Sequence, residues 1–114
     1  MDETGMGIKI ITGGVTAARG FKAASTAAGI KYKDRQDMAM IYSQEPCRSA
    51  GTFTTNIVKA APVKWDKNQV TSGAPARAVV INAGIANACT GEEGMGYCGQ
   101  TAEAAALALG ISAE

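Results

Sequence analysis

The 114-residue sequence contains no histidine. That absence removes Ser-His and Cys-His dyads internal to the chain, and with them most zinc sites. Nowhere does an apolar run approach the ~18–20 residues that a membrane-spanning helix needs. Aromatic residues are scarce at 5%, and Phe21, Tyr32, Tyr42, Phe53, Trp65 and Tyr97 are scattered, so no basic-aromatic face for stacking nucleobases can be read from them. Charge of either sign is in short supply as well. A net charge of +1 excludes both an acidic solvating tail and a broad basic nucleic-acid surface. The three cysteines, Cys47, Cys89 and Cys98, are an odd number without metal-like spacing, and they read as free thiols in a reducing compartment. The opening Met1-Asp2-Glu3-Thr4 lacks the positive region of a secretory signal, so the expectation is a soluble, cytoplasmic protein.

What the chain does have is small residues. Glycine occurs 14 times, alanine is abundant, and apolar residues still make up 46%. This composition suits close backbone packing and tight turns rather than disorder. The length is that of one small domain. Residues 1–13 are expected to form an N-terminal arm, and residues 14–114 the folded portion.

Residues 20–27 alternate around Phe21, Ala23 and Ser25 and are expected to be extended. Residues 38–43, Met-Ala-Met-Ile-Tyr-Ser, predict a strand buried on both faces and stopped by Gln44-Glu45-Pro46. Residues 49–55 are rich in β-formers and predict a hairpin partner for it. Pro62 suits the first turn of a short helix over 62–70, with Val63 and Trp65 partly buried. Residues 71–75 form a turn cluster, and 77–81 a strand. Met95, Cys98, Ala102, Ala105 and Leu109 recur at helical spacing and predict a helix capped by Gly110, with Ile111 beyond it as a hydrophobic contact. Gly94, Gly96 and Gly99 weaken the start of that helix, which points to something packed tightly against it. The predicted class is α/β: a layered mixed sheet with packed helices. The strands are few and open-edged, the mark of a partial unit completed by another segment.

Residues 82–91 carry the most information about function. A turn of small residues between a buried strand and a helix start gathers backbone N–H groups that can hold a negative charge. Two readings compete for the same atoms. Thr90 followed by Glu93 is a capping box, in which Thr90 would only satisfy an orphan N–H. Alternatively, the Gly91 N–H and the Thr90 hydroxyl could form an oxyanion hole for acyl transfer. Phosphate fits poorly, because Glu92 and Glu93 would repel it and Gly91-Glu92-Glu93-Gly94-Met95-Gly96 has neither dinucleotide nor Walker spacing. Asn82 and Asn87 could orient the turn. Cys89 reads better as a small filler than as a nucleophile, since no histidine could activate it. Thr54-Thr55-Asn56 reads as a strand end, and Lys22, Lys31 and Lys33 as a solvated face.

Three segments in this order resemble one family. They are Gly14-Val15-Thr16-Ala17-Ala18-Arg19-Gly20-Phe21-Lys22-Ala23-Ala24, then Ala50-Gly51-Thr52-Phe53-Thr54-Thr55-Asn56-Ile57-Val58-Lys59-Ala60-Ala61-Pro62-Val63, and then Asn82-Ala83-Gly84-Ile85-Ala86-Asn87-Ala88-Cys89-Thr90-Gly91. Together they are similar to the N-terminal part of the ornithine acetyltransferases (glutamate N-acetyltransferases) of arginine biosynthesis. The resemblance implies a precursor that cuts itself into two chains. The threonine exposed at the start of the second chain takes acetyl from N-acetylornithine and passes it to glutamate. Some members also accept acetyl-CoA as acetyl donor, and no resident cofactor or metal is implied. On this sequence the oxyanion pair would be Thr90 and Gly91.

The family is several-fold longer, and its nucleophilic threonine and acceptor-binding residues lie after the matched region. Ile85 stands where many members carry Asn. The resemblance therefore implies that this chain supplies an oxyanion hole but no nucleophile, and that its partner is the beta chain of the same precursor in a hetero-oligomer. Two other readings remain at this point: a stand-alone, non-catalytic α/β binding module, and a portion of a self-cleaving threonine-type aminopeptidase.

Overall fold

A computed structural model describes residues 7–88 and 90–113. After a single 3-10 turn at Val15–Ala17, the elements run β1 (Phe21–Thr26), β2 (Met38–Cys47), α1 (Ala61–Thr71), β3 (Ala76–Asn82) and α2 (Gly91–Leu109). The expected α/β class is present, as a sheet and two helices that pack on each other, but the sheet among the described residues is antiparallel rather than mixed. Within the described residues the sheet has the order β1-β2-β3, and both pairings are antiparallel.

The central strand β2 carries Met38 to Tyr42, half-buried at every position rather than alternating. That pattern belongs to a strand partly covered on both faces. Pro46 does not stop it, contrary to expectation. The strand continues to Cys47, and the register with β3 shifts between Tyr42 and Cys47. Pro46 falls inside that irregular stretch, where its missing N–H costs no regular ladder bond. Arg77 braces the same stretch. Its guanidinium donates to the Ser43 carbonyl at 3.3 Å, the Gln44 carbonyl at 2.5 Å and the Tyr42 hydroxyl at 2.6 Å.

The hairpin expected from residues 49–55 does not form. Both edges of β2 are already taken, Phe21↔Ser43 marking the pairing with β1 and Met40↔Val80 that with β3. The segment is instead an irregular connection in which the Phe53 ring lies so close to Gly51 that a Cβ there would meet it at 2.8 Å. Thr54 accepts the Asn56 N–H at 3.2 Å, so Thr54-Thr55-Asn56 is a side-chain-closed turn rather than a strand end.

The β1–β2 connection is organised by Asp37. Only 7% exposed, its carboxylate accepts the N–H groups of Ala28 at 2.7 Å and Ile30 at 2.9 Å. These bonds, Ile30's foremost, hold its pKa below the usual 3.8. The Asp37 backbone donates to Thr26 and accepts from Ala83, so one residue fixes the exits of β1 and β3 together.

The two helices pack on each other. The expected stripe is present: Met95, Cys98, Ala102, Ala105 and Leu109 are all half-buried, with Gly94 and Ala106 buried beside them. Trp65 and Val63 on α1 are half-buried as expected, and the Trp65 ring lies where a Cβ added to Gly99 would be in ordinary contact with it. Gly110 takes the left-handed conformation at φ 68°, and the Ile111 N–H returns to the Ala106 carbonyl at 3.0 Å. Ala61 and Ala106 are the buried apolar residues among those described, while Ile57 is 97% and Leu107 86% exposed. That is a small core for a chain of this length, as expected of one part of a larger α/β unit.

Candidate functional site

The turn at residues 82–91 leaves β3 and enters α2. Gly91 opens the helix at φ +61°, a left-handed conformation that L side chains rarely adopt, although the space around it is open. Glycine is required here by the backbone rather than by crowding. Cys89 lies outside the described residues.

Thr90 occupies the N-cap position but does not cap. Its side chain makes no bond to the first-turn N–H groups. The hydroxyl donates instead to Asn87 Oδ1, and Glu93, which a capping box would turn back to the N-cap, accepts the Tyr97 hydroxyl. The capping box is therefore not made. Only the Thr90 carbonyl behaves as an N-cap group, accepting the Gly94 N–H at 3.3 Å. First-turn N–H groups have no acceptor within their own helix. Without a side-chain cap, that end of α2 keeps its positive character for whatever lies in front of it.

In front of it is a cleft of about 160 Å³, lined by Thr90, Gly91 and Met95 from α2 and by Lys59, Ala61 and Lys64 around the start of α1, with Ile57 and Val58 at its margin. The two helix starts are joined directly, because the Ala61 N–H donates to the Asn87 carbonyl at 3.2 Å. Lys59, Lys64 and a helix start without a side-chain cap thus line one small space, while Glu92 and Glu93 sit in the first turn of α2 outside that lining. Such a space can serve a carbonyl oxygen on which negative charge develops, whereas Glu92 and Glu93 disfavour a fully charged anion such as phosphate.

Asn87 stands behind the pair. Its Nδ2 donates to the Gly94 carbonyl at 2.9 Å, with a longer contact to Cys98 Sγ at 3.6 Å. A carbonyl can only accept, so this bond fixes which end of the amide faces Thr90. Burial first, and then the Asp66 charge, push the Cys98 thiol pKa up, against a smaller lowering by Asn87. The expectation that something packs against the glycines at the start of α2 is met at Gly94 and not at Gly96, where an added Cβ would meet nothing within 4 Å. A Cβ on Gly94 would overlap Thr90 Oγ1 and Asn87 Oδ1 and would stand 2.7 Å from Thr90 Cβ.

Thr90 and Gly91, the two residues singled out by sequence, are therefore brought to one cleft. Asn82 is not; it ends β3, paired with Met38. Lys31 lies elsewhere, in a second cleft of about 60 Å³ beside Ala83 and Gly84, where it and Arg35 sit 5.2 and 4.5 Å from the Tyr32 ring centre. Sequence reasoning passed over Lys59 and Lys64. The available signal was two cations flanking the Pro62 helix start. Among the described residues there is no cluster of three metal-ligating side chains, and no helix is long and apolar enough to cross a membrane.

The ArgJ family profile matches residues 22–114. The chain is 48% identical over 104 residues to the arginine biosynthesis bifunctional protein ArgJ of Gloeobacter violaceus, covering 91% of this chain and 26% of that one. It is 52% identical over 97 residues to the protein of the same name from Mycolicibacterium paratuberculosis, covering 84% of this chain and 24% of the relative. Among solved structures, the arginine biosynthesis bifunctional protein argJ of Bacillus halodurans superposes with a TM-score of 0.82 at 36% identity, over 89% of this chain and 52% of its own. The ornithine acetyltransferase of Mycobacterium tuberculosis, solved in complex with ornithine, superposes at 0.80 with 50% identity, over 85% of this chain and 50% of its own. The chain thus spans about a quarter of the length of these curated relatives and about half of each solved chain. On the profile match and these identities together, the chain belongs to the ArgJ family.

Proposed function

We propose that this chain is the N-terminal portion of an arginine-biosynthesis acetyltransferase and that Thr90 and Gly91 form its oxyanion hole. The observation that carries this reading is that Thr90 and Gly91 line the same cleft at a helix start without a side-chain cap. In this reading the attacking threonine belongs to the remainder of the protein, the beta chain. Its hydroxyl oxygen adds to the acetyl carbonyl of N-acetylornithine, and the carbonyl oxygen becomes an oxyanion held by the Thr90 O–H and the Gly91 N–H. The C–N bond then breaks, a proton passes to the departing amine, and ornithine leaves an acetyl ester on the threonine. The glutamate amine attacks that ester through the same oxyanion, and the threonine departs with its proton restored. Bifunctional members would accept acetyl-CoA as an alternative donor.

Both amino-acid substrates carry carboxylates, and Lys59 and Lys64 give the cleft the opposite charge. The test is Thr90→Ala in the full-length two-chain enzyme. Loss of one oxyanion donor lowers kcat by ~10²–10³ with little change in KM. A kcat within a few-fold of wild type rejects the assignment.

A further inference from the structure

Thr90 sits where a helix N-cap sits, in a sequence that spells a capping box, yet its hydroxyl makes no capping bond and donates to Asn87 Oδ1 instead. Something must outbid the capping bond, and the structure shows what does. We propose that Asn87 is the positioning residue of this site: its side-chain amide diverts the Thr90 hydroxyl from capping α2 and holds Oγ1 beside the Gly91 N–H at the cleft. The inference rests on the oxyanion reading of Thr90 and Gly91 and goes beyond it by naming what builds the pair.

Three observations support the role. The Asn87 amide is locked in one orientation, because Nδ2 is bonded to the Gly94 carbonyl at 2.9 Å. Oδ1 therefore faces Thr90 as a pure acceptor, and the Thr90 hydroxyl must donate to it. The Asn87 backbone is held as well, by the Ala61 N–H at 3.2 Å, so the acceptor cannot drift with the turn. Finally, the place where a side chain on Gly94 would go is occupied by Thr90 Oγ1 and Asn87 Oδ1 themselves. Any larger residue there would separate them.

The arrangement also sets when the hydroxyl serves the substrate. In the resting site the Thr90 hydroxyl donates its hydrogen bond to a neutral amide oxygen. A ground-state carbonyl, equally neutral, gains little by competing for it. An oxyanion is a charged acceptor, roughly twice as strong. The proton can swing about the Cβ–Oγ1 bond while Oγ1 stays in place. The second donor is thereby engaged chiefly in the transition state, which raises kcat rather than tightening substrate binding.

The experiment is a double-mutant cycle of Asn87→Ala and Thr90→Ala in the full-length two-chain enzyme, with kcat, KM and thermal midpoint measured for each variant. Asn87→Ala should lower kcat at least ~10-fold, without exceeding the ~10²–10³ lost on removing a donor outright. Its thermal midpoint should fall only modestly, because the capping bond open to the released Thr90 hydroxyl offsets part of the two Asn87 side-chain bonds lost. The double variant should match Thr90→Ala within about two-fold, because Asn87 acts only through Thr90. Additive losses, or a kcat for Asn87→Ala near wild type, overturn the proposal while leaving the oxyanion reading intact. A wild-type kcat for Thr90→Ala overturns both. Should Asn87→Ala fail to fold, Asn87→Asp serves in its place. Its carboxylate accepts the hydroxyl too strongly and repels the oxyanion, so its kcat relative to wild type should rise as the pH falls and the carboxyl is protonated. A ratio that is flat with pH counts against the proposal.

Discussion

Two glycines in the first turns of α2 should respond oppositely to the same added methyl group. Gly94 and Gly96 are both helical, and neither has a positive φ. On helix propensity alone, Gly→Ala stabilises either by up to about 1 kcal/mol. At Gly96 nothing lies within 4 Å of the new Cβ, so that gain should be realised. At Gly94 the Cβ would overlap Thr90 Oγ1 and Asn87 Oδ1. Making room breaks the Thr90–Asn87 bond and strains the Asn87–Gly94 bond, at about 1 kcal/mol each. The net effect is a destabilisation of about 1 kcal/mol at Gly94, hence a gap of about 2 kcal/mol between the two variants. Denaturant unfolding of the full-length enzyme measures it. Activity should separate them further. Gly94→Ala displaces Thr90, so its kcat should fall toward the ~10²–10³ loss expected on removing an oxyanion donor, while Gly96→Ala keeps wild-type turnover. If the two variants prove equally stable and equally active, the Asn87–Thr90–Gly94 cluster is not the structural unit argued for here.

Two further outcomes follow from the sheet. The Asp37 carboxylate has a folded-state pKa below 3.8, because it accepts the Ile30 and Ala28 N–H groups, so its stabilisation is complete above that value and drains away as the pH falls through the lowered pKa. Asp37→Ala should therefore unfold at lower denaturant than wild type at pH 7, and the difference should shrink near pH 3; a difference independent of pH contradicts the assignment. Arg77→Lys keeps the charge but cannot reach Ser43, Gln44 and Tyr42 at once, and should cost about 1–2 kcal/mol in the same assay, whereas no loss would mean that the irregular end of β2 needs no brace.

Local patterns foretold what local forces decide. The α2 stripe from Met95 to Leu109 and the Gly110 cap were legible because helical spacing and a left-handed glycine act over a few residues. The apolar run after residue 37 and the alternation from Phe21 gave β2 and β1 for the same reason. The hairpin expected from residues 49–55 failed because strand propensity does not reveal whether a partner's edge is free. Pro46 was read as a stop because its tolerance depends on a register shift set by β3. Strand-turn-helix order and family resemblance singled out Thr90 and Gly91, and the fold brings both to one cleft. The capping box was legible too, yet it is not formed. Its defeat depends on Asn87, whose side-chain direction follows from the path of the whole turn. Lys59 and Lys64 reach the cleft only because α1 and α2 pack side by side, a long-range fact that no short window contains.

The bond from the Ala61 N–H to the Asn87 carbonyl joins two backbone groups, so no side-chain substitution short of proline deletes it. A conventional alanine scan is blind to it. Amide exchange is not. The leading amide of a helix normally meets water and exchanges quickly. At residue 61 it is shielded for as long as the turn over residues 82–91 keeps its shape. One proton on α1 thus serves as a built-in gauge of the turn that opens α2, and it slows or quickens in exchange as that turn tightens or yields.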